Sequence, residues 1–235
     1  YQIFTDERIV NEELVVNQTY ENTMKSLNDD LCGRSEVLGN KLKNISGKAD
    51  TVIKLGDNLT YESKRLADKK QYYSSTSRCF GANVYYTQAM LMVLNLSDEK
   101  LQERAEKISL QLNGVEKSIN LTKIDNLGDL EAVMIVRERI FDARENLKEL
   151  NSSPFKSLSY AEERMYSVNS WMKFIGFGGK SIEESKLKES CILKINEVQE
   201  LYNYAEMYLP HLVSNIKTEF DKTKEYLTTE DYVLC

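Results

Sequence analysis

The sequence predicts an all-α protein, an antiparallel bundle of seven or eight helices. Three observations carry that expectation. Apolar residues recur at alternating steps of three and four along almost the whole chain, the period of one helix face. Only two prolines, Pro154 and Pro210, interrupt 235 residues, and scarce proline favours long helices. No alternating apolar and polar run is long enough to build a sheet. A chain of this length can bury a core of its own, and 41% apolar with 29% charged residues is the balance of a globular protein.

Val16, Tyr20, Met24, Leu27 and Leu31 share one helix face, with Gly33 as the expected stop. Leu38, Leu42, Ile45, Ala49, Val52, Gly56, Leu59, Ser63 and Leu66 form the next stripe. Unbroken, it spans about 45 Å; Gly47 and Gly56 are the places where it can break. A third helix carries Tyr73, Thr76, Phe80, Val84, Thr87 and Leu91. Ser97 reads as an N-cap with Asp98 and Glu99 in the first turn, ahead of Leu101, Ala105, Ile108, Leu112, Val115 and Ile119. Both steps appear together, as in a bundle seam.

A turn over 124–129, with Asn126 and Gly128, separates two helical halves, 1–123 and 124–235. Leu130, Met134, Ile140, Leu147 and Leu150 mark the fifth helix, closed by Ser152-Ser153-Pro154. Leu158, Ala161, Met165, Val168, Met172 and Ile175 mark the sixth, which stops at Gly176-Phe177-Gly178-Gly179. Ser181 and Glu184 have capping-box spacing. They precede the stripe of Cys191, Ile195, Val198, Tyr202, Ala205 and Leu209. Pro210 ends that helix, and Val213, Ile216, Phe220 and Leu227 indicate one more.

Charge excludes several function classes. The net charge is −6, and lysines are interleaved with glutamates as on solvated helix faces. That argues against nucleic acid and against anionic membrane surfaces. The richest apolar stretch, 89–96, is interrupted by Asn95 and falls short of the roughly 18 residues of a membrane span, so no membrane insertion is expected within the chain. It begins at Tyr1, which suggests a processed protein or an excised piece.

The compartment is read from cysteines and sequons. Cys32, Cys79, Cys191 and Cys235 include no C-x-x-C pair and have no nearby histidine for a zinc site, which favours disulfides. Asn17, Asn44, Asn58, Asn95, Asn120 and Asn151 begin N-x-S/T sequons, where composition alone gives roughly two or three. Both features point to a secreted or cell-surface protein. Cys191 and Cys235 sit at similar heights on neighbouring antiparallel helices, which predicts their pairing. Cys32 then pairs with Cys79, provided the second helix breaks near Gly47 or Gly56, because a straight helix would hold them about 35 Å apart. A straight helix with a Cys79–Cys191 bridge is the competing solution.

Nothing in the chain assembles into a catalytic site. Gly176 to Ser181 lacks the early glycine and the preceding strand of a P-loop, and reads as a helix–helix turn. His211 is the single histidine, with no strained G-x-S-x-G turn to complete a triad. Glu-x-x-His is absent, which removes the ferritin-like metal arrangement. Adjacent acids such as Glu162-Glu163 and Glu183-Glu184 read as solvated charges. No cofactor is expected. The 14 tyrosines, among them Tyr72-Tyr73, Tyr85-Tyr86, Tyr202, Tyr204 and Tyr208, suit either a recognition groove or packing between helices with hydroxyls at the rim.

Residues 67–84, Ala-Asp-Lys-Lys-Gln-Tyr-Tyr-Ser-Ser-Thr-Ser-Arg-Cys-Phe-Gly-Ala-Asn-Val, together with Ser159-Tyr160-Ala161-Glu162-Glu163-Arg164 through Ser170-Trp171, resemble the helical region that follows the peptidase domain in secreted archaeal Lon-like serine proteases. The resemblance implies an accessory helical domain on the outer face of a cell. It carries no catalytic residue to this chain, because the Ser-Lys dyad of such enzymes lies in another domain. The expected function is a non-enzymatic extracellular interaction or scaffold domain with a protein partner, its oligomeric state left open. The alternative is a small-molecule or lipid carrier using a cleft lined by Trp171, Met172 and tyrosines.

Overall fold

A computed structural model describes residues 18–43, 45, 47–122, 124, 126–176, 183–230 and 232. The protein is all-α: 85% of these residues are helical, in eight helices, with no strand among them. The helices are α1 (Gln18–Leu42), α2 (Asp50–Asp68), α3 (Tyr72–Leu94), α4 (Asp98–Asn120), α5 (Leu127–Lys148), α6 (Pro154–Met172), α7 (Glu184–Tyr208) and α8 (Pro210–Thr228). They divide into two compact units, Tyr1–Ser109 with Asp142–Ser170 and Leu110–Phe141 with Trp171–Cys235. Each unit draws on two stretches of sequence, and the chain passes between units within α4 and α5 and near the end of α6.

In the first unit α3 packs against both α1 and α2. Met24, Leu27, Leu31, Leu38 and Leu42 of α1 are buried. Gly33 does not end this helix, which runs nine residues further, to Leu42. A glycine inside a helix costs only about 1 kcal/mol relative to alanine, and the packing on either side outweighs it.

The long second stripe is broken between Leu42 and Asp50. Gly47 takes φ +120°, a region L-residues avoid, and its N–H donates to Asp50 Oδ1 at 2.8 Å. The chain reverses there, and Leu38 and Leu42 meet Ala49, Val52, Ile53 and Leu59 in one apolar cluster with Ala82, Tyr86 and Ala89 of α3. Gly56 stays inside α2. It and Gly39 of α1 lie against the Tyr86 ring, where a Cβ at position 56 would stand 2.6 Å from the ring and one at position 39 3.3 Å. The reversal brings Cys32 and Cys79 together in a disulfide with Cα atoms 5.0 Å apart.

The buried side of α3 is more polar than its stripe suggests. Ser75, Thr76, Asn83 and Thr87 are buried with Cys79, Ala82 and Tyr86, while Tyr73 is exposed. Small side chains let the neighbouring backbones approach, and each polar group has a partner. Ser75 Oγ donates to the Ser63 carbonyl at 2.8 Å, Asn83 Nδ2 to the Leu31 carbonyl at 3.0 Å, and Ser35 Oγ to Asn83 Oδ1 at 2.7 Å. Asn95 then ends α3 in the left-handed region, at φ 45°.

In the second unit, Leu130 and Ile140 of α5 are buried as expected, together with Val133 and Val136, while Met134 is exposed. Asn126 caps the start of α5, its Oδ1 accepting from the Asp129 N–H at 2.9 Å. Helices α7 and α8 form an antiparallel hairpin. Its core is Cys191, Ile195 and Phe220, flanked by Tyr202, Leu227 and Tyr232. Pro210 occupies the first turn of α8, where its missing N–H costs nothing. Ser181 of the expected capping box lies outside the described residues, and Glu183 is the N-cap without a side-chain bond.

Candidate functional site

Two features of the fold bear on function, one closed and one open. The closed one is a polar network in the first unit, centred on Glu163 of α6, a carboxylate with no exposure. Arg34 of α1 donates to it twice, from Nε to Oε2 and from Nη2 to Oε1, each at 2.7 Å. Thr87 of α3 adds a third bond to Oε1 at 2.6 Å. The Arg34 guanidinium also lies 4.2 Å over the Tyr166 ring. Tyr166 donates to Asp30 Oδ1 at 3.0 Å and Ser170 to Asp30 Oδ2 at 2.7 Å.

Charges in this network shift as their surroundings dictate. Burial works against the charge on Arg34, but its hydrogen bond to Glu163 and the opposite charge there hold the guanidinium above its usual value. Burial raises the carboxyl of Glu162, which Arg104 opposes from 3.6 Å and Glu163 reinforces. Burial likewise raises Tyr166, with Asp30 adding to it. Glu163 is thus not the solvated charge its sequence position suggests. Both its oxygens are engaged and enclosed, so it serves as a strut joining α1, α3 and α6 rather than as a group that could reach a substrate.

The other sequence candidates are dispersed. Asn58, Asn95, Asn120 and Asn151 are all exposed, while Asn17 and Asn44 lie outside the described residues. Cys191 is disulfide-bonded, and Cys235 lies outside the described residues. So do 177–182 of the glycine-rich turn. Gly176 is seen at φ +92°, its N–H donating to Asp129 Oδ1 at 2.7 Å. Nothing is described for the His211 side chain. Among the described residues no group of His, Cys, Asp and Glu could hold a metal ion, and no helix is long and apolar enough to cross a membrane. Trp171 is buried, edge-on to Phe174 at 5.8 Å.

The open feature is on α7. Cys191, Ile195 and Tyr202 turn toward α8. A second set, Leu193, Leu201, Tyr204, Met207 and Tyr208, retains between 56% and 72% of its accessible surface. At 100° per residue these five fall within roughly 120° of helix circumference, centred well away from the α8-facing side. Tyr204 and Tyr208 lie together, ring centroids 4.7 Å apart. Exposed apolar residues scattered singly are ordinary, whereas these five share one side of one helix. Of the stripe expected on this helix, Cys191 and Ile195 are buried while Val198 and Leu209 are exposed, and Tyr204 and Tyr208, two of the groove candidates, lie on the outward side. The signal that ties these tyrosines to Leu193 and Leu201 is the spacing of Leu193, Glu197, Leu201, Tyr204 and Tyr208, which steps by four, four, three and four.

No family model, curated protein or solved structure matches the chain.

Proposed function

We propose that this chain is a non-enzymatic, extracellular helical interaction domain that binds a protein partner through the outward stripe of α7. The observation that carries the reading is the exposed run of Leu193, Leu201, Tyr204, Met207 and Tyr208 on a regular helix. Large apolar and tyrosine side chains on a rigid helix supply contact area at low entropic cost. An extracellular setting is supported by the Cys32–Cys79 bridge and by the exposure of four sequon asparagines. On the likeness to the helical region of Lon-like proteases, the domain is accessory to a peptidase or to a membrane-anchored protein, and its task is to present or hold a protein substrate.

The test places a photo-activatable phenylalanine analogue at position 204, and as a control at exposed Tyr61 of α2, in the cells that make the protein. A discrete cross-linked protein is expected from position 204 and not from position 61. No product from 204, or the same products from both, would refute the proposed surface. Treatment of the secreted chain with an N-glycosidase should lower its mass; an unchanged mass removes the glycoprotein part of the reading.

A further inference from the structure

The α7 surface has a more specific form than an apolar patch. Its residues at 193, 197, 201, 204 and 208 step by four, four, three and four, an eleven-residue spacing that keeps one side of an almost straight helix in line to receive side chains from a helix laid alongside. Another seam on the same helix, containing Cys191, Ile195 and Tyr202, is occupied by α8. Helix α7 is therefore built to sit between two helices, and one of them is supplied by this chain. The partner that fits is a third helix, read through anchors at i, i+4, i+8, i+11 and i+15.

Charge selects among the helices that could fill the place. Glu197 stands inside the seam and Glu200 flanks it, while Glu206 lies round the helix and accepts from the Tyr202 hydroxyl at 3.1 Å. Between Lys194 and Lys217 there is no lysine or arginine. Lys194 reaches Glu197 Oε2 at 2.8 Å, in an exposed pair on the same helix, and such pairs contribute little. Covering Glu197 with a purely apolar helix would desolvate a carboxylate at considerable cost. A second copy fits no better: the antiparallel self-pairing that overlays 193 on 208 puts its two-fold axis between Glu200 and Leu201, bringing Glu200 against its own mate. A parallel self-pairing in register sets Glu197 against its own copy.

We infer that the outward seam of α7, Leu193–Glu197–Leu201–Tyr204–Tyr208, docks an amphipathic helix of another protein that carries lysine or arginine beside its apolar face. This rests on the reading of α7 as the interaction surface and goes further by naming what lies on it. No sequon occurs after Asn151, so α7 and α8 carry no glycan that would stand over the seam. The seam is about 22 Å long, which about four turns of a partner helix would cover.

The experiment uses the whole chain and two labelled 18-residue helical peptides of one design, one of leucine and lysine and one of leucine and glutamate, with binding read by fluorescence anisotropy at physiological salt. The leucine–lysine peptide should bind saturably at one to one and the leucine–glutamate peptide should not. Leu201→Ser with Tyr204→Ser should weaken binding by about tenfold or more, and both positions are exposed, so the core is untouched. Glu197→Lys with Glu200→Lys should reverse the preference between peptides. Hydrogen exchange on the unaltered protein should show protection concentrated in 193–208. Equal binding of both peptides, equal binding by the serine variant, or no reversal in the lysine variant overturns the inference. So does a dimer in sedimentation equilibrium that the serine variant abolishes, or binding to lipid vesicles that it abolishes. A cross-linked partner from position 204 whose contact segment is not a basic helix would leave the interaction surface standing and end this inference alone.

Discussion

Gly56→Ala tests how the first unit is locked together. In an ordinary helix interior this change stabilises by about 1 kcal/mol. Here the new methyl would lie 2.6 Å from Tyr86 Cε1 and 2.8 Å from Cδ1, closer than carbon atoms can approach, so the ring has to move. It has little room, since the other side of the ring already touches Gly39, where a Cβ would stand at 3.3 Å. Its hydroxyl is also held, donating to Asp57 Oδ1 at 2.7 Å and lying 3.1 Å from Thr60 Oγ1. Overpacking costs roughly 1 to 3 kcal/mol, and each disturbed hydrogen bond adds about 1. The net expectation is a destabilisation of about 2 kcal/mol. Gly39→Ala, with its looser contact, should change stability by no more than about 1 kcal/mol. In a Tyr86→Ala background the obstruction is gone, and Gly56→Ala should become stabilising by about 1 kcal/mol. Urea unfolding followed by circular dichroism on the four proteins of this cycle reads the sign reversal. A stabilising Gly56→Ala in the unaltered chain, or additive effects in the cycle, would show that Tyr86 does not wedge between α1 and α2.

Three further outcomes follow from the same unit. Replacing Cys32 and Cys79 together by alanine frees a loop with a sequence separation of 47, and chain entropy puts the loss at about 4 kcal/mol; an unchanged urea midpoint would show that the bridge contributes nothing. Glu163→Gln should cost about 3 kcal/mol by leaving Arg34 without its counter-charge, while the apolar pair Arg34→Met with Glu163→Leu should recover most of the loss, and a double variant no better than Glu163→Gln would contradict the strut reading. Burial, with Asp57 adding to it, pushes the Tyr86 hydroxyl up to about 12, against about 10 in an unfolded chain. Below pH 10 both states keep the proton and its contribution is complete; between 10 and 12 only the unfolded state releases it, so stability falls as pH rises. Tyr86→Phe should make that alkaline decline shallower, and an identical slope in both proteins would refute the assignment.

Much of the fold was legible because period and punctuation are local properties. The expected helices form, and Gly47 breaks the long second stripe where a backbone with φ +120° is needed. Gly56 looked equivalent in sequence and does the opposite, staying helical so that a ring on α3 can reach its backbone. A glycine's role as turn or contact depends on what lies opposite, and one strand of sequence does not say. Met134 and Tyr73 fall on inward stripes by spacing and are exposed for a related reason: where several apolar residues neighbour one another on a helix, the partner elements choose the face.

The least legible parts were those where polarity and burial part company. Ser75, Asn83 and Glu163 are buried although their residue types read as surface, and their bonds run to residues at least 12 positions away in sequence. On α7 the mismatch runs the other way. Leucine, methionine and tyrosine remain uncovered although their spacing is that of a seam. In sequence the two seams of α7 interleave and differ only by rotation, so either could have been the one that faces α8. The packing decides it: Cys191 and Ile195 are buried together with Phe220 of α8, so the seam that contains them is the one α8 occupies. The glutamate-bearing seam is then left outward, and the position of one acid, Glu197, separates the helix that would fill it from the helix that already packs on the other side.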